Sequence, residues 1–109
     1  MGKKTARHGR NVEANTVIGI AWYKPEQWQR LLDISADREH LEDNWAEWAG
    51  NAEATIRRMS RMGVQLEKVD IDVEDLLRWC HEQGYAVDGQ ARAAYTSEKV
   101  RQLHERKAG

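Results

Sequence analysis

Four acids crowd one short stretch of the chain: Asp70, Asp72, Glu74 and Asp75, with Lys68 just ahead of them. The residues leading in, 64–72, alternate in polarity and read as a strand, so Asp70 and Asp72 stand at its C-terminal end. Carboxylates there can hold Mg²⁺ for phosphoryl transfer, because a hard divalent cation takes oxygen ligands. A metal-dependent, nuclease-like enzyme using Asp70 and Asp72 is therefore one alternative reading. A plainer account covers the same residues. Asp72 can cap a following helix, and Glu74 and Asp75 then fall in its first turn, where acids suit the positive end of the helix dipole.

The remaining reactive types do not assemble into a catalytic pattern. Cys80 and His81 are neighbours, and neighbours on a helix point about 100° apart, so they do not aim at one atom. Cys80 fits an apolar face, where a thiol is an inert core residue. His8, His40 and His104 stand alone in polar segments. No H-x-x-x-H, C-x-x-C, G-x-S-x-G or P-loop spacing occurs. No catalytic residue is assigned and no cofactor is expected.

Two groups of cations suggest binding. Residues 1–10 hold Lys3, Lys4, Arg7 and Arg10 with no acid, a charge of +4 that leaves −5 for the rest of the chain. Arg57, Arg58 and Arg61 form a second cluster, behind a middle segment (33–53) that holds seven acids and one arginine. Together they support a second alternative, a nucleic-acid-binding accessory protein. Against it stand a sequence pI near 6.4 and a sufficient structural role for the arginines, which complement the dipole at the end of a helix. Five Trp and three Tyr, with no Phe, make Trp the main core-filling aromatic. Trp and Arg also dominate interaction hot spots, so Trp22, Trp28, Trp48, Arg57, Arg58 and Arg61 are the candidate interaction residues.

The elements that position these residues can be read in order. Residues 1–14 lack an apolar period and form a flexible basic arm; residues 15–109 make one globular domain. The stretch 17–22 is apolar on both parities, as in a strand buried on both faces, and Gly19 within it marks a close approach by another element. Pro25 opens a helix whose apolar face is Trp28, Leu31 and Leu32. Residues 35–40 are a polar break. Asn44 and Glu47 start a helix over 44–62 with Trp45, Trp48, Ala52, Ile56 and Met59 on one face, and Gly63 stops it. The second strand follows, with a parity slip near Lys68 that suggests a bulge or an edge position. Asp72 caps a helix that turns Leu76, Leu77 and Cys80 inward and ends at Gly84. Asp88 caps a last helix, Gly89 to about Lys107, whose apolar set is Ala93, Thr96, Val100 and Leu103 and whose end, Arg101 to Lys107, frays. The expected fold is α/β (α+β being the alternative): a small β-α-α-β-α-α domain with two short parallel strands packed by helices.

Length, 109 residues, limits the chain to one domain, and 17 basic against 18 acidic residues is a soluble composition. The longest uncharged apolar run is seven residues, 17–23, against about 20 for a membrane span. No apolar core follows the basic start as in a secretory signal, and the single cysteine allows no internal disulfide, so a cytoplasmic location is expected.

Several pieces together show a resemblance: Ala21-Trp22-Tyr23 with Pro25-Glu26-Gln27-Trp28, Ser35-Ala36-Asp37-Arg38, Trp48, Val69-Asp70-Ile71-Asp72-Val73-Glu74, Trp79-Cys80, and Val87-Asp88-Gly89-Gln90-Ala91-Arg92. The region 18–95 resembles a group of short bacterial proteins of unassigned function, many of them cyanobacterial. The resemblance implies bacterial origin and a β-α-β-α layout, and no activity. The expected function is a non-catalytic protein-binding or self-associating module. A homodimer or a protein partner is favoured over nucleic acid, because two strands rarely make a stable sheet and a few helices cover both faces of the first strand poorly.

Overall fold

In the computed structural model, which describes residues 17–108, β1 (Ile18–Trp22) and β2 (Leu66–Asp70) pair in parallel. The register runs unbroken from Ile18 against Leu66 to Trp22 against Asp70. Between the strands the chain turns at Pro25–Gln27 into α1 (Trp28–Ile34), turns again at Arg38–His40, and enters α2 (Trp45–Arg61). After β2 come α3 (Val73–Gln83) and α4 (Gly89–Ala108). The domain is thus the small β-α-α-β-α-α fold with two parallel strands, about two-thirds helical.

Local chemistry sets most of the boundaries. The Asn44 side chain accepts the Glu47 N–H and caps α2. Asp72 accepts the N–H groups of Glu74 and Asp75, and Asp88 accepts that of Ala91. Gly63 and Gly84 close α2 and α3 at φ +87° and +78°, a left-handed conformation that only glycine adopts freely.

The sheet lies between two helical layers. Gly19, Ala21 and Val69 face α4 and the core, where Leu31, Leu76, Val73 and Cys80 are fully buried. Ile18, Ile20 and Trp22 lie on the opposite face, under α2. That second cover is thin: no residue of α2 is fully buried, and Ile18 remains 45% exposed. β1 is therefore covered on both faces rather than left with a bare one, and it is only half-buried.

Two further expectations change. The sheet has no bulge: β2 is an edge strand, the other option, and its parity slips because Leu66 shares the α2 side with Lys68 while Val69 turns to the core. The core set of α4 is Ala91, Tyr95, Thr96, Val100 and Leu103, with Ala93 exposed. The reason is that α4 serves two neighbours: Tyr95 packs on Trp79 of α3 (ring centroids 5.3 Å apart), while Thr96 and Val100 meet β1. The helix α4 runs to Ala108, close to its expected end near Lys107, with Arg101 paired to both Glu98 and Glu105.

Candidate interaction site

The free edge of β1 is where the backbone itself is left with something to bind. The Ile18 N–H donates to the Gln65 carbonyl and the Ile71 N–H to the Trp22 carbonyl, each at 3.0 Å. In a parallel ladder these roles fall on alternate residues, so Ile18, Ile20 and Trp22 point both backbone groups at β2. Gly19 and Ala21 point theirs the other way, and among the described residues nothing bonds them. One position on, the indole N–H of Trp45 donates to the Tyr23 carbonyl at 2.7 Å and closes the open stretch.

That edge opens onto a cavity of about 350 Å³. Tyr23, Trp28, Leu41 and Trp48 line its apolar side, and Arg92, Thr96 and Ser97 of α4 its polar side. The aromatic wall is one cluster: the Trp48 ring lies 4.8 Å from Trp22, 5.3 Å from Tyr23 and 5.2 Å from Trp28. α4 can form the opposite wall because Gly19 has no side chain. A Cβ there would sit 2.2 Å from Cγ2 of Val100.

A polar latch holds the far end. Arg92 Nη1 donates to Asp37 Oδ1 at 2.9 Å and Nη2 to Asp37 Oδ2 at 2.7 Å, and Nη1 also reaches Ser35 Oγ at 3.2 Å. Asp37 Oδ2 further accepts the Gly89 N–H at 3.1 Å, and the Ala36 N–H donates to the Val87 carbonyl at 2.7 Å. The Arg92 and Asp37 side chains are only 12% and 18% exposed. Hydrogen bonding from Arg92 holds the Asp37 carboxyl below its usual range. Burial pushes the nearby Tyr23 hydroxyl up to about 12, with Arg92 opposing and Asp37 assisting.

In the sequence, residues 35–40 read as a polar break and nothing marks Arg92, because their pairing spans 55 residues. Of the candidate interaction residues, Trp22 and Trp48 are half-buried and belong to the aromatic cluster, and Lys68 Nζ lies 3.9 Å over the Trp22 ring. Trp28 is a core residue at 3% exposure, with its indole N–H donating to the Glu42 carbonyl at 3.1 Å. It contributes to the floor of the groove, and only a sliver of it is open to a partner. Arg57, Arg58 and Arg61 are exposed near the other end of α2 and do not join the tryptophans. Lys3, Lys4, Arg7 and Arg10 lie outside the described residues.

The acidic stretch is dispersed into structural tasks. Asp72 is a helix cap, Glu74 pairs with Arg30 at 2.6 Å, and Asp75 pairs with Arg78. Among the described residues no group of three or more His, Cys, Asp or Glu is placed to hold a metal ion. Cys80 is fully buried, and burial raises its thiol pKa, which suppresses the thiolate. A larger cavity of about 510 Å³ lies between the end of α3 and the start of α4, but its one acid, Asp88, is engaged in capping. No described helix is long and apolar enough to cross a membrane. Compared with protein-family models, curated proteins and solved structures, the chain matches none.

Proposed function

We propose that this protein is a non-catalytic, cytoplasmic binding module that self-associates as a two-fold dimer through the free edge of β1. The observation that carries the reading is the pair of outward-facing, unbonded backbones at Gly19 and Ala21, opening onto the aromatic groove. Their spacing is self-complementary. In an antiparallel β1–β1 pair centred on Ile20, Gly19 of each copy exchanges two hydrogen bonds with the partner's Ala21, joining two marginal two-stranded sheets into one of four strands. An uncovered edge is a feature that proteins otherwise protect.

Light scattering across a tenfold range of low micromolar concentration tests this. The expected mass is twice the 12.6 kDa of the chain. Ala21→Pro removes an N–H that β2 does not use, and proline is tolerated on that side of an edge strand, so this variant should be a folded monomer. Ala93→Arg, an exposed α4 position lining the groove, should act likewise without touching the strand. A wild-type mass of 12.6 kDa throughout, or folded variants that stay dimeric, refutes the reading.

A further inference from the structure

One large apolar side chain of β1 stands in the open. Ile18 is 45% exposed, whereas Ile20 and Trp22, its companions on the α2 side of the strand, are half-buried. The bond from Ile18 to Gln65 that starts the sheet uses only its backbone N–H. Within one copy of the chain its side chain has no comparable task.

The two-stranded sheet has two outer edges, and they differ in charge. Gln65 and Ile71 bond to β1, so Leu66, Lys68 and Asp70 turn their backbone groups outward on β2, as Gly19 and Ala21 do on β1. The β2 edge carries Lys68 and Asp70, both exposed, and charged residues, lysine above all, keep an edge from pairing. β1 has no charged residue. The groove beside it has one, Arg92, which Asp37 neutralises at 2.7 Å. That is the charge balance a second copy requires. A two-fold interface sets each group near its own double, so an unpaired charge there would repel itself. The α4 side of the groove also fits a second copy, because Ala93 and Ser97, both exposed, are small where two α4 helices would approach.

Strand geometry then selects the register. Full antiparallel overlap of the five residues Ile18–Trp22 on their own copy pairs Gly19 with the partner's Ala21 and Ala21 with the partner's Gly19. The residues between are non-hydrogen-bonded pairs, whose side chains come closest, with Cα atoms about 4.5 Å apart. Ile20 meets the partner's Ile20, and Ile18 meets the partner's Trp22. A slip of two residues would carry Trp22 past the end of the partner's strand. The exposed Ile18 is therefore set against the one tryptophan of the aromatic cluster that stands in the strand. Trp22 is already held by Trp48 at 4.8 Å and by Lys68 Nζ at 3.9 Å. A β-branched side chain directly across from an aromatic ring is a stabilising cross-strand pair.

We propose that Ile18 fixes the register of self-association by packing on the partner's Trp22, so that each copy completes the aromatic cluster of the other. This rests on the β1–β1 reading above, and its test separates the two. Cysteines are introduced one at a time into the full chain and oxidised mildly; Cys80 is fully buried and stays out of the reaction. Ile20→Cys should link to itself as a covalent dimer, because a Cα separation of about 4.5 Å lies within disulfide range. Ile18→Cys should not link to itself but should link to Trp22→Cys when the two are mixed. Ile18→Ala should keep a folded circular dichroism spectrum and raise the dimer dissociation constant by about tenfold or more, because the lost contact counts twice in each dimer. A dimeric wild type in which Ile20→Cys stays unlinked, while Ile18→Cys links to Ile20→Cys, has a shifted register and overturns this inference alone. A folded Ile18→Ala variant that dimerises as tightly as wild type does the same. A wild type that stays at 12.6 kDa in light scattering removes the β1–β1 reading, and this inference with it.

Discussion

Gly19→Ala adds a single methyl group at the point where α4 presses on β1. The new Cβ would stand 2.2 Å from Val100 Cγ2 and 3.3 Å from both Thr96 Cγ2 and Val69 Cγ2. Carbon atoms in good contact lie about 3.5–4.0 Å apart, so the Val100 contact is short by more than an ångström while the other two need only slight adjustment. Valine in a helix is held to essentially one rotamer, so its methyl cannot simply turn away and α4 has to shift. Overpacking of this kind costs about 1–3 kcal/mol, and the reduced freedom of the unfolded chain returns roughly 0.4–1 kcal/mol. The net loss is about 1–2 kcal/mol, a sizeable part of a typical 5–15 kcal/mol stability. In a domain of this size it corresponds to a fall of roughly 5–15 °C in Tm. Val100→Ala empties the clashing position, so the double variant should be more stable than the two single losses predict, by a coupling of about 0.5–3 kcal/mol. Thermal and urea unfolding of the four proteins measure this directly. An unchanged or raised Tm for Gly19→Ala, or strict additivity with Val100→Ala, would show that α4 does not sit against Gly19 and would remove one wall of the groove.

Four other outcomes follow from the same coordinates. Trp48→Ala, which empties the centre of a cluster of four other aromatic rings, should cost about 3 kcal/mol, the lower end of the range for a core Trp because the residue is half-buried; a Tm within a degree or two of wild type contradicts this. Asp37→Asn should cost roughly 3 kcal/mol at neutral pH by leaving Arg92 largely buried without its counter-charge. Because the folded carboxyl of Asp37 titrates below its unfolded value near 3.8, its contribution is present above that pH and lost as pH falls through the folded value, so wild type should lose stability on acidification more steeply than Asp37→Asn. Tyr23 should resist ionisation to about pH 12 in a near-ultraviolet alkaline titration; the raised value stabilises the fold up to about pH 10, and that contribution disappears between there and pH 12, so a Tyr23→Phe variant should unfold less steeply in that window.

Much of this fold is legible in the sequence because it rests on interactions that close within one turn of chain. Asn44, Asp72 and Asp88 accept N–H groups two or three residues on, and Gly63 and Gly84 release the chain from its helices through their own backbone angles. The amino-acid types at those positions determine the outcome with little help from elsewhere. Gly19 is an intermediate case: a glycine in an apolar strand announces that something comes close, but not that the visitor is Val100, 81 residues away. What only the tertiary structure decided are relations between segments. It turned Ala91 and Tyr95 of α4 into the core, because α4 divides its length between α3 and β1. It joined Asp37 to Arg92 across 55 residues. It left Gly19 and Ala21 as the unbonded edge. Short-range hydrogen bonds and dihedral preferences are properties of a few neighbouring residues, whereas which distant groups meet depends on how all the helices share one small apolar core.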